Sequence, residues 1–189
     1  MSDRPKFARS VALEAARELC WVLKEVCVCG RIICAGSLRR EKEQVGDVEL
    51  LYIPEFATER AGLFDTERVN LVDRKLADLL AAGVLGKRRN VNGAETWGTK
   101  NKLAFHCASG VPVDLFEATQ ANWFNYLVCR TGGARSNVEV ASAAQRKGWK
   151  WNPYGPGFTD QHGAIVPVTC ERDVFDLMGL PYREPRDRA

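Results

Sequence analysis

The sequence predicts an α+β fold: a mixed sheet with helices packed on it, followed by a small α/β subdomain. Three observations predict it. Helix-like and strand-like periods alternate early in the chain. A β-rich stretch follows them, and after Thr119 the texture changes to short helices and turns.

Each element has its own signal. Phe7, Val11, Ala15, Leu19, Val22 and Val26 recur at helical spacing, so a helix is expected from about Phe7 to Val26. Gly30 ends that region, and Arg31 to Ala35 read as a short strand. Ser37 is placed to cap a short basic helix through Arg39, Arg40 and Glu41. Val48 to Ile53 form the second strand, and Pro54 to Asp65 a polar loop. Val69, Val72, Leu76, Leu79 and Leu80 share one helical face that stops near Gly83. Val84 to Arg89 reads as a strand, and Lys102 to Cys107 with Val111 to Phe116 as a hairpin around Ser109-Gly110. Pro112 argues for a locally unpaired edge there.

Beyond a boundary near Glu117 to Ala121, Trp123 to Leu127 suggest a short helix and Thr131-Gly132-Gly133 a break. Ala134 to Lys147 is a helix of small residues closed by Gly148. Trp149 to Gly157 is rich in turns and aromatic residues, Val166 to Thr169 a last strand, and Glu171 to Met178 a terminal helix. The expected division is therefore residues 1–118 and 119–189.

Composition narrows the classes. The chain has 189 residues, enough for one domain or one domain with an appendage. No apolar run reaches membrane-spanning length, and charges at Asp3, Arg4 and Lys6 interrupt any signal-peptide pattern. A soluble intracellular monomer is the expectation. The net charge is only +3, but base is clustered at Arg39, Arg40 and Lys42, at Lys87, Arg88 and Arg89, and at Arg146, Lys147 and Lys150. Such clusters permit a phosphate-bearing partner. The seven cysteines include no Cys-x-x-Cys pair, and Cys27-Val28-Cys29 has strand spacing rather than zinc-site spacing.

The chemistry concentrates at two places. Asp47 and Glu49 are one residue apart at the start of an apolar strand, so they point to one face. Paired acids repel unless a cation lies between them. Asp114, a charge inside the apolar run Val111 to Phe116, is the best third acid from a neighbouring strand. Taken alone, Asp114 fits a buried salt bridge to an arginine equally well. Three converging carboxylates suit two Mg²⁺ ions, or Mn²⁺, which stabilise in-line displacement at an α-phosphorus with pyrophosphate leaving. Gly36-Ser37 supplies the phosphate end: glycine lets the backbone approach a triphosphate, and Arg40 is placed to neutralise the leaving group.

Gly36-Ser37-Leu38-Arg39-Arg40 through Gly46-Asp47-Val48-Glu49 resembles the signature of the DNA polymerase β-like nucleotidyltransferases, family X. Glu95 to Lys100 with Val113-Asp114-Leu115 resembles the palm hairpin that carries the third acid. Thr131-Gly132-Gly133 with Asn137 resembles the start of the thumb beside the incoming nucleotide, and Lys147 to Gly155 and Glu171 to Arg188 continue the likeness. The resemblance implies a nucleotidyltransferase palm over 1–118 and a thumb over 119–189. It implies metal binding by Asp47, Glu49 and Asp114. Nucleotide contacts fall to Gly36, Ser37, Arg40, Gly46, Gly132, Gly133 and Asn137, and DNA contacts to Lys147 and Lys150. The implied activity is extension of a DNA primer 3′-hydroxyl from nucleoside triphosphates, in short gaps, by a compact enzyme of the kind some viruses encode.

Several positions depart from the family pattern. Glu49 stands where Asp is common, and Gly133 where Ser is usual. Cys129 and Arg130 replace the aromatic residues beside the sugar that exclude a ribose 2′-hydroxyl. Ala141 replaces an Arg that reaches the template's minor groove. These departures keep open a second reading, a nucleotidyltransferase that ignores a template or uses ribonucleotides or RNA.

Overall fold

The computed structural model describes residues 5–62 and 65–189. Asp3 and Arg4, and positions 63–64 of the expected loop, lie outside the described residues. The chain forms two compact units. One holds the chain up to Cys34 together with Gln44–Glu117, the other Ala35–Glu43 together with Ala118–Ala189.

The first unit begins with β1 (Phe7–Ala8) and α1 (Arg9–Lys24). The expected helix is trimmed at both ends, because Phe7 and Ala8 pair with Val45 and Gln44 instead. The next strand, β2 (Cys27–Cys34), is longer than the expected one and runs through Gly30. Cys29 and Gly30 take φ of 49° and 66°, and the register shifts between Cys27 and Ile32. A bulge therefore absorbs the glycine that was read as a stop. The short helix α2 (Gly36–Arg39) belongs to the second unit.

The chain returns through β3 (Gln44–Val45) and β4 (Val48–Pro54). The stretch read as a loop contains β5 (Phe56–Arg60), which forms a hairpin ladder with β6 (Thr66–Asn70). Helix α3 (Leu71–Ala81) starts after Val69, because the Asn70 side chain accepts from the Val72 and Asp73 N–H groups and caps it. Then come β7 (Leu85–Lys87), β8 (Asn101–His106) and β9 (Pro112–Glu117).

The main sheet has the order β2-β4-β9-β8-β7, with β4 and β9 parallel and the other pairs antiparallel. Strand β9 is interior, and Pro112 pairs with Phe105 of β8 but has no partner in β4, so the expected local gap lies at that end. The proline is its first residue, where a missing N–H costs no ladder bond within the strand. Val48, Leu50 and Tyr52 of β4 and Val113 and Leu115 of β9 are fully buried. Helix α1 packs on β2 and β4 through Ala12, Ala15, Ala16, Leu19 and Leu23, and α3 packs on β7. Each fully buried leucine here contributes about 2 kcal/mol.

The second unit adds α4 (Trp123–Thr131), α5 (Ala134–Arg146), β10 (Lys150–Trp151), β11 (Gly157–Thr159), β12 (Ile165–Pro167) and α6 (Glu171–Asp176). The turn-rich aromatic segment thus holds parts of a three-stranded antiparallel sheet, and the last strand ends before Val168. Its ordering has a local cause. The fully buried Asn125 donates to the Asn152 and Gly155 carbonyls at 2.6 and 2.9 Å and accepts from Trp151 Nε1 at 2.7 Å. Val128, Val140, Ala144, Phe158, Val174 and Phe175 form the core of this unit. Helix α6 is shorter than expected, and Gly179 at φ 66° turns the chain soon after it. At its start, partial burial opposes the Asp173 charge, but hydrogen bonds from Thr169 and Cys170 prevail and pull the carboxyl down to about 2.

Candidate active site

Register decides which acids of the first unit meet. Glu49 in β4 is the direct partner of Asp114 in β9 across the parallel pair. Their neighbours Val48, Leu50, Val113 and Leu115 point into the core, so Glu49 and Asp114 share the opposite face, half-buried. Asp47 precedes β4 by one residue and has the parity of Glu49. The Gly46 backbone beside it is unobstructed, with nothing within 4 Å of where a Cβ would stand.

Asp114 is ion-paired with Arg88. Arg88 follows β7. Its backbone N–H donates to the Leu103 carbonyl at 2.9 Å and its Nε to the Ala104 carbonyl at 3.3 Å. Leu103 is the register partner of Asp114, so Arg88 reaches the acid face from the far side of β8. Among the described residues, no three His, Cys, Asp or Glu side chains converge closely enough to hold an ion. The donors fit a hard divalent cation by type and by shared face. They are not drawn together in advance, and Arg88 carries the charge balance at Asp114.

The other face of this sheet holds a polar set that sequence reading missed. Lys102 pairs in register with Leu115, is 2% exposed, and places Nζ 2.8 Å from an Asp73 oxygen. Asn70 Nδ2 donates to Glu117 at 3.0 Å. Burial pushes the Glu117 carboxyl up; Lys102 opposes this, and Asp73 reinforces it. Nothing in the local sequence signals the set, because its members come from α3, its cap and two strands.

In the second unit, Gly36 takes φ of 62° at the start of α2, a conformation that favours glycine. The N-cap is Ala35, with no side-chain cap, so Ser37 lies inside the helix rather than capping it. Arg40 Nη1 donates to the Thr131 carbonyl at 2.6 Å. Arg39, given no role from sequence, donates to Thr131 Oγ1 at 2.8 Å and grips Glu171 with two bonds of 3.0 and 2.6 Å. Glu171 also pairs with Arg188, which is fully buried and whose Nε donates to the Arg183 carbonyl at 2.9 Å. Burial opposes the Glu171 charge, but the two arginines prevail and hold its carboxyl below the usual range. Separations of 91 to 132 residues hide the partners of Arg39 and Arg40 from any motif.

Gly132 and Asn137 are in direct contact. Asn137 Nδ2 donates to the Cys129 carbonyl at 2.9 Å, and a Cβ on Gly132 would stand 2.3 Å from Asn137 Oδ1. That Oδ1 is buried without a hydrogen-bond partner among the described residues. The Gly133 N–H donates to the Arg188 carbonyl at 2.7 Å, and a Cβ there would stand 2.8 Å from the Ala189 carbonyl carbon. Arg188 and Ala189 pack against this position, so a larger residue there would require the backbone to shift. Of the two lysines assigned to DNA, Lys147 donates to the Leu177 carbonyl at 2.9 Å and lies over the Trp149 ring, while Lys150 is exposed on β10.

Known proteins bear on this arrangement. The DNA polymerase beta thumb family model matches residues 126–189. Repair DNA polymerase X of African swine fever virus (isolate Pig/Kenya/KEN-50/1950) is 29% identical over 158 residues, which cover 83% of this chain and 80% of the viral protein. DNA polymerase lambda of Rattus norvegicus is 25% identical over 170 residues, covering 82% of this chain. The match spans only 28% of that longer polymerase. The crystal structure of Leishmania infantum polymerase beta in a ternary P/T complex aligns with a TM-score of 0.73 at 18% identity, over 98% of this chain and 77% of that one. The likeness confirms the α+β fold. The thumb match and these relatives make the chain similar to family X of the DNA polymerases, the polymerase β-like nucleotidyltransferases, and the Asp47, Glu49 and Asp114 pattern accords with that likeness.

Proposed function

We propose that this protein extends a DNA primer 3′-hydroxyl from nucleoside triphosphates, filling short gaps during repair. The register pairing of Asp114 with Glu49, which lies two residues after Asp47 and shares its parity, is the observation that carries the reading. Members of the family use divalent metals, and the African swine fever virus relatives are repair polymerases by name. In the reaction the primer 3′-oxygen bonds to the α-phosphorus, the bond to the α–β bridging oxygen breaks, and pyrophosphate departs.

Asp47 and Glu49 would hold one Mg²⁺. Asp47, Glu49 and Asp114 would share the second, and Mn²⁺ is the natural substitute. When bound, the ions supply Lewis-acid charge at the reacting phosphate and lower the pKa of the attacking hydroxyl. Ser37 and Arg40 orient the triphosphate, with Gly36 and Gly46 giving backbone clearance. Gly132, Gly133 and Asn137 border the sugar and base, and the unsatisfied Asn137 Oδ1 is an acceptor for a ligand N–H or O–H. Lys147 and Lys150 contact DNA phosphates, Lys147 after exchanging its bond to the Leu177 carbonyl. The functional division is a palm over 1–118 and a thumb over 119–189, with Ala35–Glu43 grouped structurally with the latter.

No helix among the described residues is long and apolar enough to cross a membrane. Action on DNA as a monomer inside a cell is part of this proposal, and the viral relatives support a virus-encoded origin.

The test is extension of a gapped DNA primer, and of a blunt single strand, with each dNTP and rNTP. Incorporation set by the templating base supports this reading. Cys129 and Ala141 favour the second one, and extension indifferent to the template or to the 2′-hydroxyl would establish that instead.

A further inference from the structure

We propose that Arg88 is a positioning residue for Asp114: an internal counter-cation that a divalent ion must displace, so that Arg88 sets the metal concentration the enzyme needs. The inference rests on the reading of Asp47, Glu49 and Asp114 as the metal-holding set.

Of the basic run Lys87-Arg88-Arg89, one member faces the acids. Lys87 is paired with Glu95 at 2.6 Å and Arg89 donates to the Gly93 carbonyl at 2.8 Å, both in exposed settings. Arg88 is paired with Asp114, and the two side chains are 27% and 16% exposed. Its placement is built. The backbone bond to Leu103 fixes its height on the sheet, and the Nε bond to Ala104 turns the guanidinium across β8 toward β9. Partial burial makes this contact stronger than a surface ion pair of the same length.

A guanidinium carries one charge and donates N–H groups along fixed directions. It relieves the repulsion at Asp114 without joining that carboxylate to Glu49 and Asp47. A divalent cation accepts oxygens from all three, so it wins Asp114 when present in sufficient concentration. Until then Arg88 holds Asp114 in an ion pair, and among the described residues no three-donor cluster is converged.

The test is Mn²⁺ binding to the free protein, without DNA or nucleotide, followed by electron paramagnetic resonance. Arg88→Gln should tighten Mn²⁺ binding about tenfold by removing a competing charge, and Arg88→Lys should stay near wild type. In an Asp114→Asn background, Arg88→Gln should change the affinity less than about twofold, since the effect passes through Asp114. Circular dichroism melts of both Arg88 variants confirm that folded proteins are compared. Equal Mn²⁺ affinity in wild type and Arg88→Gln overturns the inference, as does an equal shift in both backgrounds. If Mn²⁺ binding is lost in Asp47→Ala but unmoved by Arg88→Gln, only the role of Arg88 fails. If neither wild type nor Arg88→Gln binds Mn²⁺, the metal reading fails with it.

Discussion

Glu49 and Asp114 stand opposite each other on the one parallel strand pair of an otherwise antiparallel sheet. Residues directly opposite on adjacent strands share a face and lie within side-chain reach. Two like charges in that relation destabilise the sheet unless something compensates them. Both stand on the face away from Val48, Leu50, Val113 and Leu115, and the Arg88 guanidinium is paired with Asp114 there. The proposed metal-holding role of these acids would give the pairing of Glu49 with Asp114 a purpose.

The Arg39–Glu171–Arg188 cluster should be a main tie within the second unit. Glu171→Gln leaves two partly or fully buried guanidiniums short of an anion, and should lower stability in urea unfolding by about 3 kcal/mol. The Glu171 carboxyl is held below its ordinary value, so its contribution is complete above about pH 4.3. It is lost as pH falls through the folded value. Wild type should therefore lose stability on acidification more steeply than Glu171→Gln.

Glu117 should behave in the opposite sense. Its carboxyl is pushed up by burial and by Asp73, so ionising it at neutral pH works against folding. A raised folded value means greater stability below about pH 4.3, with the advantage disappearing as pH rises through the folded value. Glu117→Gln keeps an acceptor for Asn70 Nδ2 and should melt at or above wild type at pH 7. The difference should shrink as pH approaches 4. A clear loss of melting temperature at pH 7 would mean that Lys102 depends on the Glu117 charge.

Gly133→Ser tests the packing of the chain end. The new Cβ would stand 2.8 Å from the Ala189 carbonyl carbon and 3.2 Å from the Arg188 carbonyl oxygen. Backbone must move, and a stability loss of about 1–3 kcal/mol by urea unfolding is expected. An unchanged midpoint would show that the last residues move aside freely.

Parity alone made the acid face legible: Asp47 and Glu49 are two apart, and Asp114 interrupts an apolar strand. The parallel register that sets Glu49 against Asp114 was not legible, because register depends on how far apart strands meet. The arginine partner of Asp114 was foreseen as an alternative, yet which arginine was hidden by a separation of 26 residues. Local punctuation misled in three places. Gly30 became a bulge rather than a stop, Ala35 rather than Ser37 became the cap, and the polar run after Pro54 formed a strand because its partner lay beyond Asp65. In each case a tertiary partner outweighed the local signal. Arg39 was read only as part of a basic cluster, since Glu171 lies 132 residues away.

Single-turnover insertion of one templated nucleotide into gapped DNA, by wild type, Asp47→Ala and Asp114→Asn, tests the central claim most directly, with DNA affinity measured on the same samples. Loss of a group that anchors metal charge at the reacting phosphate should remove several kcal/mol of transition-state stabilisation, or about a thousandfold or more in rate, while DNA affinity stays within about threefold. Insertion by either variant at close to the wild-type rate would contradict the account, as would a fall in DNA binding as large as the fall in turnover.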